Sequence, residues 1–324
     1  MATDTPVRDP QTIRDWMCGP IVATATPFKE DYALDLDALR GHIRFMIEGG
    51  VQTGDGVLLV AAAAGEHPTL NVEERKTIMD LAVEAAKGQV PIAASIQHTD
   101  WRVIEDLAKH AEKVGVSAVQ LAPPYYYRAT ESDVLRLFEM VASCSDVTIM
   151  IYHTWWHGFH FSVDLLQNLA EIETVRVLKW SSPNQEAFRK GILALKDNLV
   201  IVDNSGQYVT SHSLGCSGFI THIGNFWPSY ARKLWHLLED QDYPAVNEHL
   251  GAFNWPWSDW CAKVMTLTCG EGPFIKATME EVGLQAGPPR PPCVYPPDYL
   301  RDELRVLMRQ VAVPKAAIPA HSAP

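Results

Sequence analysis

The chain has 324 residues, 47% of them hydrophobic and 20% charged, which is the composition of an ordinary globular protein. A formal net charge of -12 without any basic run argues against a phosphate-backbone partner, so no nucleic acid is expected. No apolar stretch reaches the roughly 18 residues of a membrane span; the opening MATDTPVRDPQTIRDW has no apolar signal core, so no membrane partner and a cytoplasmic location are expected.

After an N-terminal extension over residues 1–18, short runs of branched apolar residues recur along the chain. The first is Ile21–Thr24, followed by a helical stripe of Leu39, Ile43, Met46 and Ile47 that Gly49-Gly50 ends. Val57–Val60 comes next, then Asn71 with Glu74 three residues on, a capping pattern ahead of Ile78, Leu81, Ala82 and Ala85. Val90–Ala93 precedes the stripe Val103, Leu107, Ala111 and Val114, stopped by Gly115. Ala118–Leu121, Val147–Ile151, Val175–Leu178, Leu199–Val202 and Gly218–Thr221 complete eight candidate strands. Further helical stripes follow at Val134–Val141, Leu165–Leu169 and Phe188–Leu195, and Pro228 opens another helix.

Most of these runs are apolar on both faces, as parallel strands covered by helices are. Strand-then-helix order over eight units predicts an α/β fold, a (β/α)8 TIM barrel, over residues 19–240. A doubly wound sheet would carry a Gly-rich phosphate fingerprint after an early strand, and the sequence has none. Additional C-terminal helices are expected over 241–312, and a disordered Ala- and Pro-rich tail over 313–324.

The six cysteines (Cys18, Cys144, Cys216, Cys261, Cys269 and Cys293) form no close pairs in sequence and no zinc-like spacing. Reduced, packed thiols are expected. His153, His157 and His160 cluster in a loop rather than on one helix face, so no metal is expected.

Active sites of such barrels lie at the carboxyl ends of the strands. Strand two ends in Ala61-Ala62-Ala63-Ala64-Gly65-Glu66, strand five in Tyr152-His153 and strand six in Lys179-Trp180. A lysine closing an apolar strand either snorkels at the rim or, once desolvated, offers a nucleophilic amine. Tyr152 either shuttles protons beside it or packs its ring with a satisfied hydroxyl, and Tyr126 has the same packing alternative. Trp155, Trp156 and Phe159 either cover the barrel mouth or wall a substrate.

In this order the chain resembles the dihydrodipicolinate synthase / N-acetylneuraminate lyase superfamily of class I, pyruvate-dependent aldolases. The resemblance runs from about Gly19 to Leu300. It rests on Thr26-Pro27-Phe28, Gly65–Leu70 with Glu73-Glu74-Arg75, Pro124-Tyr125-Tyr126 and Ile151-Tyr152. It rests also on Leu178-Lys179 with Ser181, Ser205-Gly206, Gly218–Asn225 with Pro228, and Gly287–Pro292. It implies that Lys179 forms an imine with a 2-oxo acid and that Tyr152 moves protons there. It further implies that the amides of Ala64 and Gly65 hold the carboxylate, and that the Ile220 carbonyl lines the pyruvate pocket. Tyr126 would reach a neighbouring subunit of a homotetramer, a dimer of dimers. No cofactor is implied beyond the lysine imine.

Three departures narrow the reading. The strand-two loop of the family reads Gly-Thr-Thr-Gly-Glu or close to it; here Ala63 and Ala64 offer no hydroxyl, so the proton relay must run through water, substrate or His153. His153 and His157 stand where dihydrodipicolinate synthases carry Asn and Arg, which disfavours that synthesis. Trp180 follows the lysine and, with Trp155, suggests an aromatic or apolar aldehyde partner, as in hydratase-aldolases. Two alternatives stay open: a sugar-acid dehydratase using the same imine, and a non-catalytic 2-oxo-acid-binding homologue.

Overall fold

The computed structural model of the protein describes residues 9–155 and 158–316. In chain order the elements are α1 (Pro10–Arg14), β1 (Gly19–Ala23), α2 (Leu36–Glu48), β2 (Val57–Val60), α3 (Val72–Ala86), β3 (Ile92–Ser95) and α4 (Trp101–Val114). Then come β4 (Ala118–Leu121), α5 (Glu131–Cys144), β5 (Thr148–His153), α6 (Val163–Ala170), β6 (Val175–Trp180), α7 (Gln185–Leu195) and β7 (Val200–Asp203). The series ends with α8 (Tyr208–Leu214), β8 (Gly218–Thr221), α9 (Pro228–Glu239), α10 (Tyr243–His249), α11 (Trp255–Met265), α12 (Gly272–Glu281) and α13 (Asp298–Gln310). The eight strands close in sequence order into one barrel, so the fold is a (β/α)8 TIM barrel with added C-terminal helices.

The strands stand on the apolar runs of the sequence, the third beginning two residues later than its run. Helix α8 answers to no apolar stripe: its sequence, YVTSHSL, is short and mostly polar, and tertiary contacts set it rather than periodicity. The caps follow local chemistry. Asn71 and Glu74 exchange backbone-to-side-chain hydrogen bonds of 2.9 Å each ahead of α3. Thr130 and Asp133 do the same before α5.

Contacts divide the chain into two compact units. One takes the N-terminal stretch up to Ile21, Gln52–Leu59 and Lys87–Ile220. In it, β3 to β7 pair in parallel, with Tyr152 opposite Lys179 and Lys179 opposite Val202. Arg14 of α1 donates to the carbonyls of Gly215 and Lys196 at 3.0 and 3.1 Å, tying the N-terminal helix to this unit. The other unit takes Val22–Val51, Val60–Ala86 and the chain from Thr221 onward. Asn225, fully buried, accepts from Ala25 N at 2.9 Å and donates to Ala23 O at 2.8 Å. His42 Nε2 lies 2.9 Å from Asn225 O, and burial pushes this imidazole down to about 4.

Among the described residues no helix is long and apolar enough to cross a membrane. The tail expected to be disordered from 313 is held at its start, where Ala316 N donates to Val282 O at 2.8 Å. Residues 317–324 lie outside the described residues.

Candidate active site

Side chains alternate across a strand, so neighbours on β6 must face opposite ways. Lys179 is 4% exposed and points to the side away from the helices. Its Nζ donates to Gln120 Oε1 of β4 at 3.0 Å and lies 4.2 Å from the centroid of the Tyr152 ring on β5. Gln120 Nε2 reaches Gln97 Oε1 at 3.4 Å, extending the polar cluster among buried side chains. An amine placed like this is shielded from water yet hydrogen-bonded. It has a phenol-bearing ring beside it and an amide acceptor to orient it. That arrangement suits a nucleophile that must meet a carbonyl carbon.

Trp180 and His153 take the other side of the same two strands, and this corrects their reading as substrate-facing groups. Trp180 lies under α7, its ring 5.2 Å from that of Phe188. A Cβ on Gly191 of α7 would stand 1.9 Å from Trp180 Cη2, so only glycine leaves room for the indole. His153 stacks on Trp180 with centroids 5.4 Å apart, and lies 4.8 Å from Phe161. Burial, helped by nearby His160, pushes the His153 imidazole down to about 3, so it is neutral. It accepts a long contact from Phe161 N, 3.4 Å. The period-2 rule carries this result: a residue next to an inward lysine faces outward.

The strand-two loop has its own rigid frame in the second unit. Ala61 and Glu66, at φ +48° and +57°, bracket it in left-handed conformations that cost about 1–2 kcal/mol each in an L-residue. Between them, Ala64 and Gly65 are buried and Ala63 is half-buried. Glu66 N donates to Ala63 O at 3.0 Å, and Thr26 Oγ1 donates to Gly65 O at 2.9 Å. The Glu66 carboxylate is buried and forms an ion pair of 2.7 Å with Lys276 Nζ of α12, itself fully buried. Arg290 N donates to the other carboxylate oxygen at 2.9 Å. Lys276 Nζ also donates to Pro288 O at 3.0 Å and sits 3.9 Å over the Phe28 ring. Burial pushes this lysine down to about 8, and Glu66 opposes that shift. Gly272 is glycine because a Cβ there would stand 2.5 Å from Glu66 Oε1. Arg290 in turn grips Glu74 with two hydrogen bonds, of 2.9 and 2.5 Å.

The other candidate residues fall in three places. Trp155 is 57% exposed and lines a cavity of about 320 Å³ with Phe159, His160, Ser182, Pro183 and Asn184. Tyr126 is 86% exposed, at φ +93°, and contacts Tyr127 edge-on at 5.1 Å. Ile220 is buried in β8. His157, with Trp156, lies outside the described residues. Among the described residues no group of three or more His, Cys, Asp or Glu side chains is placed to hold a metal.

Sequence reasoning missed Gln120, Glu66 with Lys276, and Asp203. Gln120 had a signal: a lone amide inside the apolar run Ala118–Leu121, whose burial demands a polar partner. Asp203, fully buried at the end of β7, accepts from Ser205 N at 2.6 Å and Ser211 Oγ at 3.0 Å, and burial pushes it up to about 6. It pairs in register with Trp180, on the helix-facing side, and anchors α8.

The family model that matches this chain is that of the dihydrodipicolinate synthetase family, over residues 17–311. The chain is 30% identical over 301 residues to an uncharacterized DapA-like lyase of Thermococcus onnurineus, covering 91% of this chain and 99% of that protein. It is 30% identical over 222 residues to a 4-hydroxy-tetrahydrodipicolinate synthase of Methanothermobacter thermautotrophicus, covering 67% of this chain and 77% of the other. Among solved structures it is similar to dihydrodipicolinate synthase from Aquifex aeolicus, with a TM-score of 0.82 and 26% identity over 92% of this chain and 99% of that one.

Proposed function

Because this chain belongs to the dihydrodipicolinate synthetase family of aldolases and lyases, we propose that it is a Schiff-base-forming lyase that cleaves or joins a C–C bond between a pyruvate-type 2-oxo acid and an aromatic or apolar aldehyde. One observation carries the reading: the buried Lys179 amine, 3.0 Å from Gln120 Oε1 and 4.2 Å from the Tyr152 ring centroid. In the proposed sequence Nζ attacks the keto carbon, and the carbinolamine loses water to give an iminium. The iminium accepts the electron pair of the breaking C–C bond, which releases the aldehyde and leaves an enamine. A proton returns to the enamine carbon, and water hydrolyses the imine to free pyruvate and the amine. The Tyr152 hydroxyl moves the protons of these steps. No external cofactor enters the scheme.

The rest of the assignment comes from the family resemblance. The Ala64 and Gly65 amides, held in a loop fixed at both ends, take the 2-oxo-acid carboxylate. The Ile220 carbonyl lines the pyruvate pocket. Support for the aldehyde class lies in the two aromatic rings, Trp155 and Phe159, that line one cavity among small and polar neighbours. His153 and Trp180 drop out of the substrate list because they face the helices. A homotetramer in the cytoplasm belongs to the proposal; the outward Tyr126 is what an arm to a neighbouring subunit would look like.

The test is borohydride reduction in the presence of pyruvate. A reduced adduct on Lys179, absent from Lys179→Ala, is expected. A folded protein that gains no adduct would overturn the imine, and with it the lyase. An adduct that forms while aromatic aldehydes give no product would remove only the aldehyde class.

A further inference from the structure

Cys269 and Cys293 are 24 residues apart in sequence, yet their sulfurs lie 3.5 Å from each other. The neighbouring backbone is already pinned: Cys293 Sγ donates to Cys269 O at 3.0 Å, and Val294 N donates to Thr268 Oγ1 at 2.9 Å. Cys269 is exposed and Cys293 half-buried, so neither thiol is explained by packing in a core. The other four cysteines are buried or half-buried. Cys216 and Cys261 are pushed well above the usual thiol range by burial, which makes them inert.

We propose that Cys269 and Cys293 are a reversible dithiol–disulfide site whose oxidant is a low-molecular-weight disulfide such as oxidised glutathione. The sulfurs must approach by about 1.5 Å to bond at about 2.05 Å, a shift within reach of side-chain rotation. Cys269, the open thiol, attacks first as its thiolate. Its sulfur bonds one sulfur of the oxidant, and the other leaves as a thiolate that takes up a proton. Cys293 then loses its proton and attacks Cys269 Sγ, expelling the second thiolate, which takes up that proton. The protein loses two electrons and two protons, and the oxidant becomes two thiols. Burial first, and the Cys269 sulfur next, push the Cys293 thiol up to about 11, which leaves the first attack to the more exposed Cys269.

The cross-link would close a segment that contains α12 and the Gly287–Pro292 turn. These carry Lys276 and Arg290, the two groups that grip Glu66. Oxidation would therefore fasten the two halves of that grip to each other. The site stands whether or not the lyase reading holds.

The full chain is reduced, freed of reductant, and treated with oxidised glutathione under native conditions. Intact mass should fall by two hydrogens, one cross-linked peptide should contain both Cys269 and Cys293, and both should lose their reactivity toward an alkylating agent. Reductant should restore it. Cys293→Ser should stop at one glutathione on Cys269. The proposal is overturned by a wild-type chain whose two thiols stay alkylatable, or that keeps a separate glutathione on each.

Discussion

Lys179 on β6 and Gln120 on β4 join across β5, amine to amide oxygen at 3.0 Å, with the Tyr152 ring of the intervening strand 4.2 Å from the same nitrogen. Three consecutive strands thus contribute one side chain each to a single buried point. The amide restricts the swing of a long, flexible side chain, which is what an attack on a carbonyl carbon needs.

Gln120→Leu keeps the volume and removes the acceptor. A neutral amine-to-amide hydrogen bond is worth about 0.5–1.5 kcal/mol. Through loss of orientation, the rate of borohydride-trapped adduct formation with pyruvate should therefore fall by about two- to tenfold, with the fold intact by circular dichroism. An unchanged trapping rate would show that Gln120 does not orient the amine.

Glu66 and Lys276 form a pair in which neither charge reaches water. Removing one partner strands the other, at about 3–5 kcal/mol. Replacing both by uncharged residues of similar size leaves no stranded charge. Glu66→Gln and Lys276→Met should each lower the urea midpoint sharply, whereas the double variant should recover most of the loss. Additive losses in the double variant would contradict the pairing, because coupled partners give non-additive changes.

The barrel is legible in the sequence because its strands are apolar on both faces and its helices carry clean stripes and caps. Lys179 and Tyr152 are legible because a charge or a phenol at a strand end is conspicuous. Trp180 and His153 mislead for a simple reason: nearness in sequence suggests nearness in space, whereas alternation along a strand sends neighbours to opposite faces. Glu66 and Lys276 lie 210 residues apart, and no local pattern joins them. Cys269 and Cys293 are hidden in the same way, since only the turn before α13 brings their segments together.

His153 and His42 are held neutral by burial, at about 3 and about 4 against an ordinary 6.5. As pH falls from 6.5, the unfolded chain takes up protons that the folded one refuses, so stability falls, by about 1.4 kcal/mol per pH unit for each histidine. Asp203 opposes this below about pH 6: burial raises it from 3.8 to about 6, so the folded chain holds a proton that the unfolded chain has lost. Asp203 thus offsets about one histidine's share between about pH 6 and 4, while His249, also pushed down by burial, adds to the fall. His153→Phe, which preserves the stack on Trp180, should make the fall of the urea midpoint over that range shallower by about one histidine's share. It should also keep forming the Lys179 adduct. Loss of the adduct would return His153 to the proton relay.

Trp155 offers the most direct handle on the aldehyde. Its exposed ring and that of Phe159 line the same cavity, which an aromatic ring could cover. Covering about 50–80 Å² of apolar surface at roughly 25 cal/mol per Å² gives about 1–2 kcal/mol. Trp155→Ala should therefore raise KM for an aromatic aldehyde by about five- to thirtyfold in the synthetic direction. The pyruvate adduct on Lys179 should form at the wild-type rate, because the imine needs only the 2-oxo-acid head. A small polar aldehyde supplies the control: its KM should barely move. Equal losses with both aldehydes would mean that Trp155 shapes the loop rather than meeting the ring, and the aromatic class would lose its support.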